Sequence, residues 1–227
     1  AAAPDAAKVE LDRLTKLYRK PLFTPQYGLA MLMHRLAIDL AGQGEGTATL
    51  SIARIASFAV TSDEDVRVNV ARSALAADYA DIAFSEAGMI GEGSPDWFDA
   101  QTVRLRALIA QDRTDDAIAR ARQLVDLDGG SARSLRLLGD VLVNKDDFAG
   151  AADAYARARD ALGDKAGQQD AALLLQLGGA LEQAGQWEQA RPILERVVAL
   201  APDSAVALNH LGYALASRGE DLPQAIA

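Results

Sequence analysis

A block of the form Leu-x-x-Leu-Gly-x-x-Leu occurs three times in the second half of the chain, and this recurrence constrains the fold more than any other feature. The blocks occupy residues 135–142, 174–181 and 208–215. The last two glycines are 34 residues apart and the first two are 39 apart, which is one 34-residue period plus an insertion of five. A fixed period of this length is the signature of a repeat protein, in which one small structural unit recurs along the chain.

The residues around each block are those that a helix–turn–helix unit needs. Gly139 and Gly178 lie in the first helix of a unit, and Ala151 and Ala190 open the second. We expect these small residues to face each other where the two helices cross, because a larger side chain there pushes the helix axes apart. The second helix has aromatic residues before it and a proline after it: Phe148, Trp187 and Pro202.

Leucine-glycine blocks, alanines and a closing proline at this period resemble the tetratricopeptide repeat, with leucine in place of that family's tryptophan and tyrosine. The resemblance implies an all-α, right-handed superhelical solenoid of antiparallel helix pairs. The last block, with the long turn that follows it, is similar to that of long bacterial tetratricopeptide proteins. Such proteins bind other proteins, so the resemblance implies a scaffold and no reaction.

The period divides the chain into three predicted regions. Residues 1–24 hold an N-terminal helix over residues 7–20 and a linker, and residues 25–97 hold degenerate helix pairs. The apolar stripe of the N-terminal helix consists of Leu11, Leu14 and Tyr18. The rest of the chain holds repeats, which we place at 98–131, 132–170, 171–204 and, as an incomplete unit, 205–227.

The incomplete last repeat is expected to leave apolar surface uncovered, because a solenoid repeat needs a neighbour or a polar cap over its apolar face. Three of its leucines should be less well covered than the equivalent leucines one repeat earlier: Leu208, Leu211 and Leu215 against Leu174, Leu177 and Leu181. We expect weak self-association through this end, or another chain packed on it. Because the sequence starts without Met and stops in a helix just begun, we expect a piece of a longer protein.

Charge and composition exclude several classes of protein. The formal net charge is -9, which is the wrong sign for a protein that grips a phosphate backbone over its whole surface. The chain has no Cys, so disulfides and thiol catalysis are excluded. The longest apolar stretch, residues 27–40, contains His34, Arg35 and Asp39 and is too short and too charged to span a bilayer.

No arrangement of residues matches a catalytic, cofactor or metal site. His34 and His210 lie far apart, and we interpret the first as a packed or flanking residue and the second as a groove residue at most. Gly42-x-Gly44-x-Gly46 follows a helix and has no Lys after it, so it is interpreted as a flexible turn instead of a phosphate loop. Residues 126–130 begin like a calcium loop, but Leu137 occupies the position of the bidentate Glu. Two carboxylate clusters are predicted to cap helix starts, at residues 62–65 and 112–116.

The resemblance also implies a ligand groove, lined by positions 2, 5 and 9 of each first helix. Spacings of three and four residues place each trio on one helical face. The trios are Asp99, Thr102 and Arg106; Arg133, Arg136 and Asp140; Ala172, Leu175 and Gly179; and Val206, Asn209 and Tyr213. From these we select as groove candidates Arg106, Arg133, Arg136, Asp140, Leu175, Asn209 and Tyr213. The three arginines are expected to converge on one acidic group, and the alternative is a solvated charged face without a ligand.

The favoured function is a non-enzymatic scaffold that binds a partner protein or an extended peptide in its concave groove, with an internal acidic segment as the expected ligand. The alternative is an accessory helical-repeat module of a larger enzyme or cell-envelope assembly machine, whose activity lies in other segments. An adjacent catalytic domain in the full reading frame would favour that alternative. No cofactor, nucleic acid or membrane insertion is expected. The sequence does not identify the compartment, although the resemblance leans slightly towards the periplasm or cell envelope.

Overall fold

The computed structural model describes residues 25–41, 43, 46–59, 64–163 and 171–219. Within these residues all regular structure is helical, which confirms the all-α fold class. The helices are α1 (Pro25–Ala41), α2 (Gly46–Ala59), α3 (Glu64–Ala76), α4 (Ala80–Gly88), α5 (Trp97–Ala110), α6 (Thr114–Leu127), α7 (Ala132–Val143), α8 (Phe148–Leu162), α9 (Ala171–Gln183), α10 (Trp187–Leu200) and α11 (Ala205–Arg218). The chain forms two compact units, residues 1–110 and 111–227. The boundary falls inside the predicted repeat 98–131, and the predicted domain limits stay a prediction.

The first unit is a stack of helix pairs with a core of small residues. Consecutive helices from α1 to α5 pack on one another, and α3 also contacts both α1 and α5. Alanine lines these contacts, and its short side chain lets helix axes approach closely. The buried alanines include Ala37, Ala53, Ala71, Ala83 and Ala100. Two ion pairs tie its helices together: Arg67 to Glu86 at 2.8 Å and Arg72 to Asp99 at 2.6 Å.

The second unit repeats the same arrangement with leucines from the three sequence blocks. Consecutive helices from α6 to α11 pack on one another, and α9 also contacts α11. The fourth and last leucine positions of every block are buried, as the repeat register predicts. These residues are Leu138 and Leu142, Leu177 and Leu181, and Leu211 and Leu215. The antiparallel helix pairs of a solenoid are therefore confirmed for this unit.

Gly139 and Gly178 each lie close against the second helix of their pair, and the nearest side chains there are those of Tyr155 and Leu194. A Cβ atom on Gly139 would lie 2.6 Å from Cδ1 of Tyr155, and one on Gly178 would lie 2.7 Å from Cδ2 of Leu194. The expectation that these glycines face Ala151 and Ala190 stays a prediction. Both alanines are buried, but the space above each glycine belongs to the side chain one helical turn later.

The helices α3, α5, α7, α9 and α11 are each followed by one residue in the left-handed conformation, and these residues repeat with the period of the chain. Asp78, Asp112, Asp146, Gly185 and Gly219 have φ values of 62°, 58°, 59°, 75° and 69°. Their separations are 34, 34, 39 and 34 residues. A left-handed residue lets a helix end satisfy its last carbonyls before the chain reverses. The 34-residue register therefore extends back into residues 64–97, where the leucine-glycine block is absent.

Replacing Asp146 by glycine is expected to stabilise the chain, because a residue with a Cβ is strained at a φ of 59° and glycine is not. We expect the free energy of unfolding to rise by about 0.5–1 kcal/mol. The converse change, Gly185→Ala, should lower it by about 1 kcal/mol. Urea unfolding of both variants measures the two shifts, and a decrease for Asp146→Gly would contradict this explanation of the turn.

Asp128 stabilises the turn between α6 and α7 through hydrogen bonds. Its carboxylate accepts hydrogen bonds from the backbone of Gly130 and from both the backbone and the side chain of Ser131. It also accepts one from Ser134 Oγ at 2.7 Å, while Ser131 Oγ caps α7 by accepting from the backbone of Ser134. Partial burial alone would raise the pKa of this carboxyl, but the hydrogen bonds from Ser131, Ser134 and Gly130 outweigh it and lower the pKa below 3.8.

The lowered pKa of Asp128 predicts a pH-dependent contribution to stability. A group whose pKa is lower in the folded state stabilises that state above its ordinary value and loses the contribution as the pH falls through the folded pKa. We expect Asp128→Asn to cost about 1–2 kcal/mol at pH 7. The difference between the two proteins should shrink below pH 3.8. Equal differences at pH 7 and pH 3, measured by urea unfolding, would show that the charge is not responsible.

Two sequence expectations on capping and coverage need correction. At α6 the residue before the helix is Arg113, and its side chain makes no capping hydrogen bond, so the predicted cap at 112–116 is wrong; Asp115 and Asp116 do lie in the first turn. At the other end, Leu211 and Leu215 are 5% and 1% exposed, and the equivalent Leu177 and Leu181 are 1% and 6% exposed, so all four are buried. They are buried in a cluster with Leu194 that Trp187, Leu175 and Val198 surround.

Of the leucines in the last block, Leu208 alone fits the expectation of poor coverage, with 46% of its surface exposed. The expectation was wrong for Leu211 and Leu215 because the preceding helix α10 covers the side of α11 that was expected to need a following helix. Self-association through this end stays a prediction. The N-terminal helix predicted over residues 7–20, with Leu11, Leu14 and Tyr18, lies outside the described residues, as do Ser62 and Asp63 of the first carboxylate cluster.

Candidate functional site

The first helices of three helix pairs, α7, α9 and α11, are neighbours in the second unit. Gln176 Nε2 on α9 donates a hydrogen bond of 2.7 Å to Asp140 Oδ1 on α7. On the other side of α9, a Cβ atom on Gly179 would lie 3.9 Å from Cε1 of His210 on α11. The predicted groove positions of this unit are therefore carried by helices that lie side by side.

Asp140 holds three helices together. The same carboxylate oxygen that accepts from Gln176 accepts from Tyr155 Oη on α8 at 2.8 Å. Burial raises the pKa of the Tyr155 hydroxyl, and the charge of Asp140 and its hydrogen bond raise it further, so the hydroxyl stays protonated and acts as a donor. Of the candidate groove residues, Asp140 thus has a positioning role: it fixes α7 against α8 and α9.

Arg133 and Arg136 lie one turn apart on α7. Arg133 is exposed, and Arg136 is half-buried near Tyr155, where its charge counteracts part of the rise in the pKa of the phenol. Both occupy positions on the face that also carries Asp140. This part of α7 therefore carries two guanidinium groups and a carboxylate that accepts hydrogen bonds from Tyr155 and Gln176.

The α9 and α11 part of the groove is apolar with polar tips. Leu175 is half-buried on α9, and Asn209 is exposed on α11. Tyr213 exposes 73% of its surface and Val206 58%, both large values for such side chains. An exposed tyrosine offers an apolar ring and a hydroxyl at low conformational cost, which is why tyrosine is frequent in binding surfaces.

Arg106 belongs to the first unit, on α5, where it is exposed. Asp99, on the same helix, is paired with Arg72. The convergence of Arg106 with Arg133 and Arg136 on one acidic group stays a prediction, and the groove of the second unit is built here from α7, α9 and α11.

Sequence patterns that resemble cofactor or metal sites have structural roles where the structure describes them. Gly46 begins α2, and Gly129 and Gly130 take positive φ after α6, as helix-end glycines do. Among the described residues no three His, Asp or Glu side chains are placed to hold a metal ion. His210 is exposed on α11, and His34 lies on α1, with its side chain outside the described part.

One cluster near the groove was missed from the sequence. The Arg218 guanidinium lies 4.3 Å from the centre of the Trp187 ring and forms an ion pair of 3.1 Å with Glu182. It also donates to the carbonyl of Ala214. These contacts fix the end of α11 on α9 and α10. The tryptophan at the start of α10 was visible in the sequence. Its cation partner was not, because Arg218 belongs to the next repeat.

The family comparisons match the part of the chain in which the repeats are clearest. Two tetratricopeptide-repeat family models match, one over residues 103–171 and one over residues 171–214. No curated protein matches the sequence. None of the described helices has the length and apolar character that a membrane span requires.

Several solved structures share the fold at low sequence identity, and the first two below are tetratricopeptide-repeat proteins. A protein from Parabacteroides merdae superposes with a TM-score of 0.65 at 14% identity, over 93% of this chain and 78% of that one. A thermophilic protein from Thermus thermophilus gives 0.63 at 15% identity, over 82% and 99%. MamA from Desulfovibrio magneticus gives 0.54 at 15% identity, over 78% and 97%.

At these identities the structural likeness shows the fold, and the two family models carry the assignment. The 34-residue period, the glycine contacts between paired helices and the family matches agree over the same residues. Repeats of this kind are protein-interaction scaffolds in general. Over residues 103–214 the chain therefore belongs to the tetratricopeptide-repeat family.

Proposed function

We propose that the chain is a non-enzymatic scaffold whose second unit binds an acidic, extended segment of a partner protein along α7, α9 and α11. The observation that carries the proposal is the distribution of charge along the groove. Arg133 and Arg136 stand at one end, while the carboxylate beside them accepts hydrogen bonds from Tyr155 and Gln176.

The remaining groove positions support an extended ligand. Positions 2, 5 and 9 of α9 and α11 are all uncharged: Ala172, Leu175, Gly179, Val206, Asn209 and Tyr213. Packed helix axes lie about 8–10 Å apart, which is close to the rise of three residues in an extended chain. An extended segment that crosses the three helices would therefore meet the arginines first and the apolar positions of α9 next. The Asn209 amide and the Tyr213 hydroxyl would then reach its backbone.

Electrostatics favours an acidic ligand on physical grounds. The whole chain has a net charge of -9, so a basic protein would be attracted to most of its surface without preference for the groove. Two guanidinium groups on one helix face select carboxylates locally and orient them by paired hydrogen bonds. The groove would thus select an acidic segment by its charge and by where its carboxylates lie along the segment.

Fluorescence anisotropy with labelled peptides tests the proposal. The probe is a short peptide with Glu and Leu at alternate positions, and the control is the same peptide with Gln in place of Glu. We expect the Glu peptide to bind at least ten times more tightly, with an affinity that falls as salt rises. Equal binding of the two peptides would contradict an acidic ligand, and no binding of either would contradict the groove itself.

A further inference from the structure

The first described helix of the first unit, α1, exposes an apolar stripe. Leu29, Leu32 and Leu36 are 48, 62 and 41% exposed. Spacings of three and four residues place them on one face of α1, whereas Ala30 and Ala37 on another face are buried. A row of exposed leucines on the outermost described helix of a repeat stack is typical of a surface that something else covers. We call Leu29, Leu32 and Leu36 the leucine stripe.

The segment that precedes α1 in the sequence carries a matching row. Residues 1–24 lie outside the described residues. Within them Leu11, Leu14 and Tyr18 have the same spacings of three and four residues, which predicts a helix with one apolar face. That face needs a partner, because an isolated helix of this length is marginal in water.

The connection between the two rows is short enough to make them antiparallel neighbours. Residues 21–24 separate the predicted helix from Pro25, where α1 begins. Connections of two to five residues typically join antiparallel helices in a hairpin. In an antiparallel hairpin, residues at similar distances from the middle of the connection lie opposite each other. Counting outward along the sequence from that middle pairs Tyr18 with Leu29, Leu14 with Leu32 and Leu11 with Leu36.

We propose that residues 7–20 form a helix that packs antiparallel on the leucine stripe and covers the open side of the first unit. The occupant is this segment and not a second copy of the chain, because a four-residue connection gives it an effective concentration in the millimolar range. Its charge adds to the preference. The segment holds five basic and two acidic residues, while the chain as a whole is acidic. This inference is independent of the groove in the second unit.

Disulfide trapping tests the pairing directly, because the chain contains no cysteine. A protein with Leu14→Cys and Leu32→Cys should form a disulfide within one chain under mild oxidation, since the pairing brings the two Cα atoms within bonding range. The matched control combines Leu14→Cys with Ile55→Cys, an exposed position on α2. We expect at least ten times more trapping in the first protein. Equal trapping in the control, disulfides only between chains, or no disulfide would each overturn the proposal.

Thiol reactivity provides a second measurement that does not need a cross-link. A single cysteine in the Leu32→Cys protein should react slowly with maleimide, and at least tenfold faster when Leu11→Asp and Leu14→Asp are added. The rate for Ile55→Cys should not change with the same additions, and circular dichroism verifies that the helices persist. An unchanged rate for the Leu32→Cys protein would overturn the proposal.

Discussion

Replacing Gly178 by leucine should lower the free energy of unfolding by about 3 kcal/mol. A Cβ atom at this position lies 2.7 Å from Cδ2 and 2.9 Å from Cγ of Leu194, which is 1% exposed and has no room to move away. The side chain beyond Cβ adds further overlap, so α9 and α10 must separate. For a chain of this size the expected fall in Tm is about 6–12 °C.

Gly179 is the matched control, because it is the next residue of the same helix and its surroundings are open. A Cβ atom there meets only Cε1 of His210, at 3.9 Å. Gly179→Leu should therefore change stability by less than about 1 kcal/mol, with a gain in helix propensity offsetting any crowding. Gly163 is a poorer control, since its φ of 62° strains any residue with a side chain. Equal shifts in Tm for Gly178→Leu and Gly179→Leu would contradict the packing of α9 on α10.

Reversing two charges on α7 should weaken partner binding by about 2 kcal/mol, which is roughly a 30-fold rise in Kd. Arg133→Glu and Arg136→Glu replace the two guanidinium groups of the groove with carboxylates that repel an acidic segment. Neither arginine takes part in the hydrogen bonds that Asp140 accepts from Tyr155 and Gln176. The Kd for the Glu-containing peptide, measured by anisotropy, gives the result.

Arg122→Glu combined with Arg157→Glu separates a local effect from a change in overall charge. This protein has the same net charge as the first variant, but its substitutions lie on α6 and α8, the second helices of their pairs. We expect its Kd to rise less than threefold. If the two double variants lost affinity equally, the binding would follow the net charge of the chain and not the groove.

The helix pairs were predictable from the sequence because a glycine that recurs inside a helix indicates that a second helix packs closely against it. Gly139 and Gly178 stand where the Cβ atom of any other residue would overlap a side chain of the paired helix. The turn residues were harder to recognise. Asp78, Asp112 and Asp146 have a left-handed φ at the same 34-residue period, but aspartate has many roles in loops, and its conformation is visible only in the structure.

The polar contacts of the candidate site were less predictable than its positions. Asp140 was selected as a groove residue, yet its carboxylate bonds to Tyr155 and Gln176, 15 and 36 residues away. Such contacts depend on side-chain rotamers and on how successive helices stack, which a spacing rule does not contain. The prediction that Leu211 is poorly covered was wrong for a related reason. Residues of α10, including Trp187, cover a face that the repeat pattern assigns to a later helix.

The Nε–Hε signals of the arginines in the ¹⁵N-labelled protein test the central claim most directly. During titration with the Glu-containing peptide, the proposed groove predicts shifts for Arg133 and Arg136 that saturate at the Kd measured by anisotropy. Arg122 and Arg157, on α6 and α8, should keep their positions. Saturating shifts at Arg122 and Arg157, with unchanged signals for Arg133 and Arg136, would place the peptide on the second helices and contradict the account.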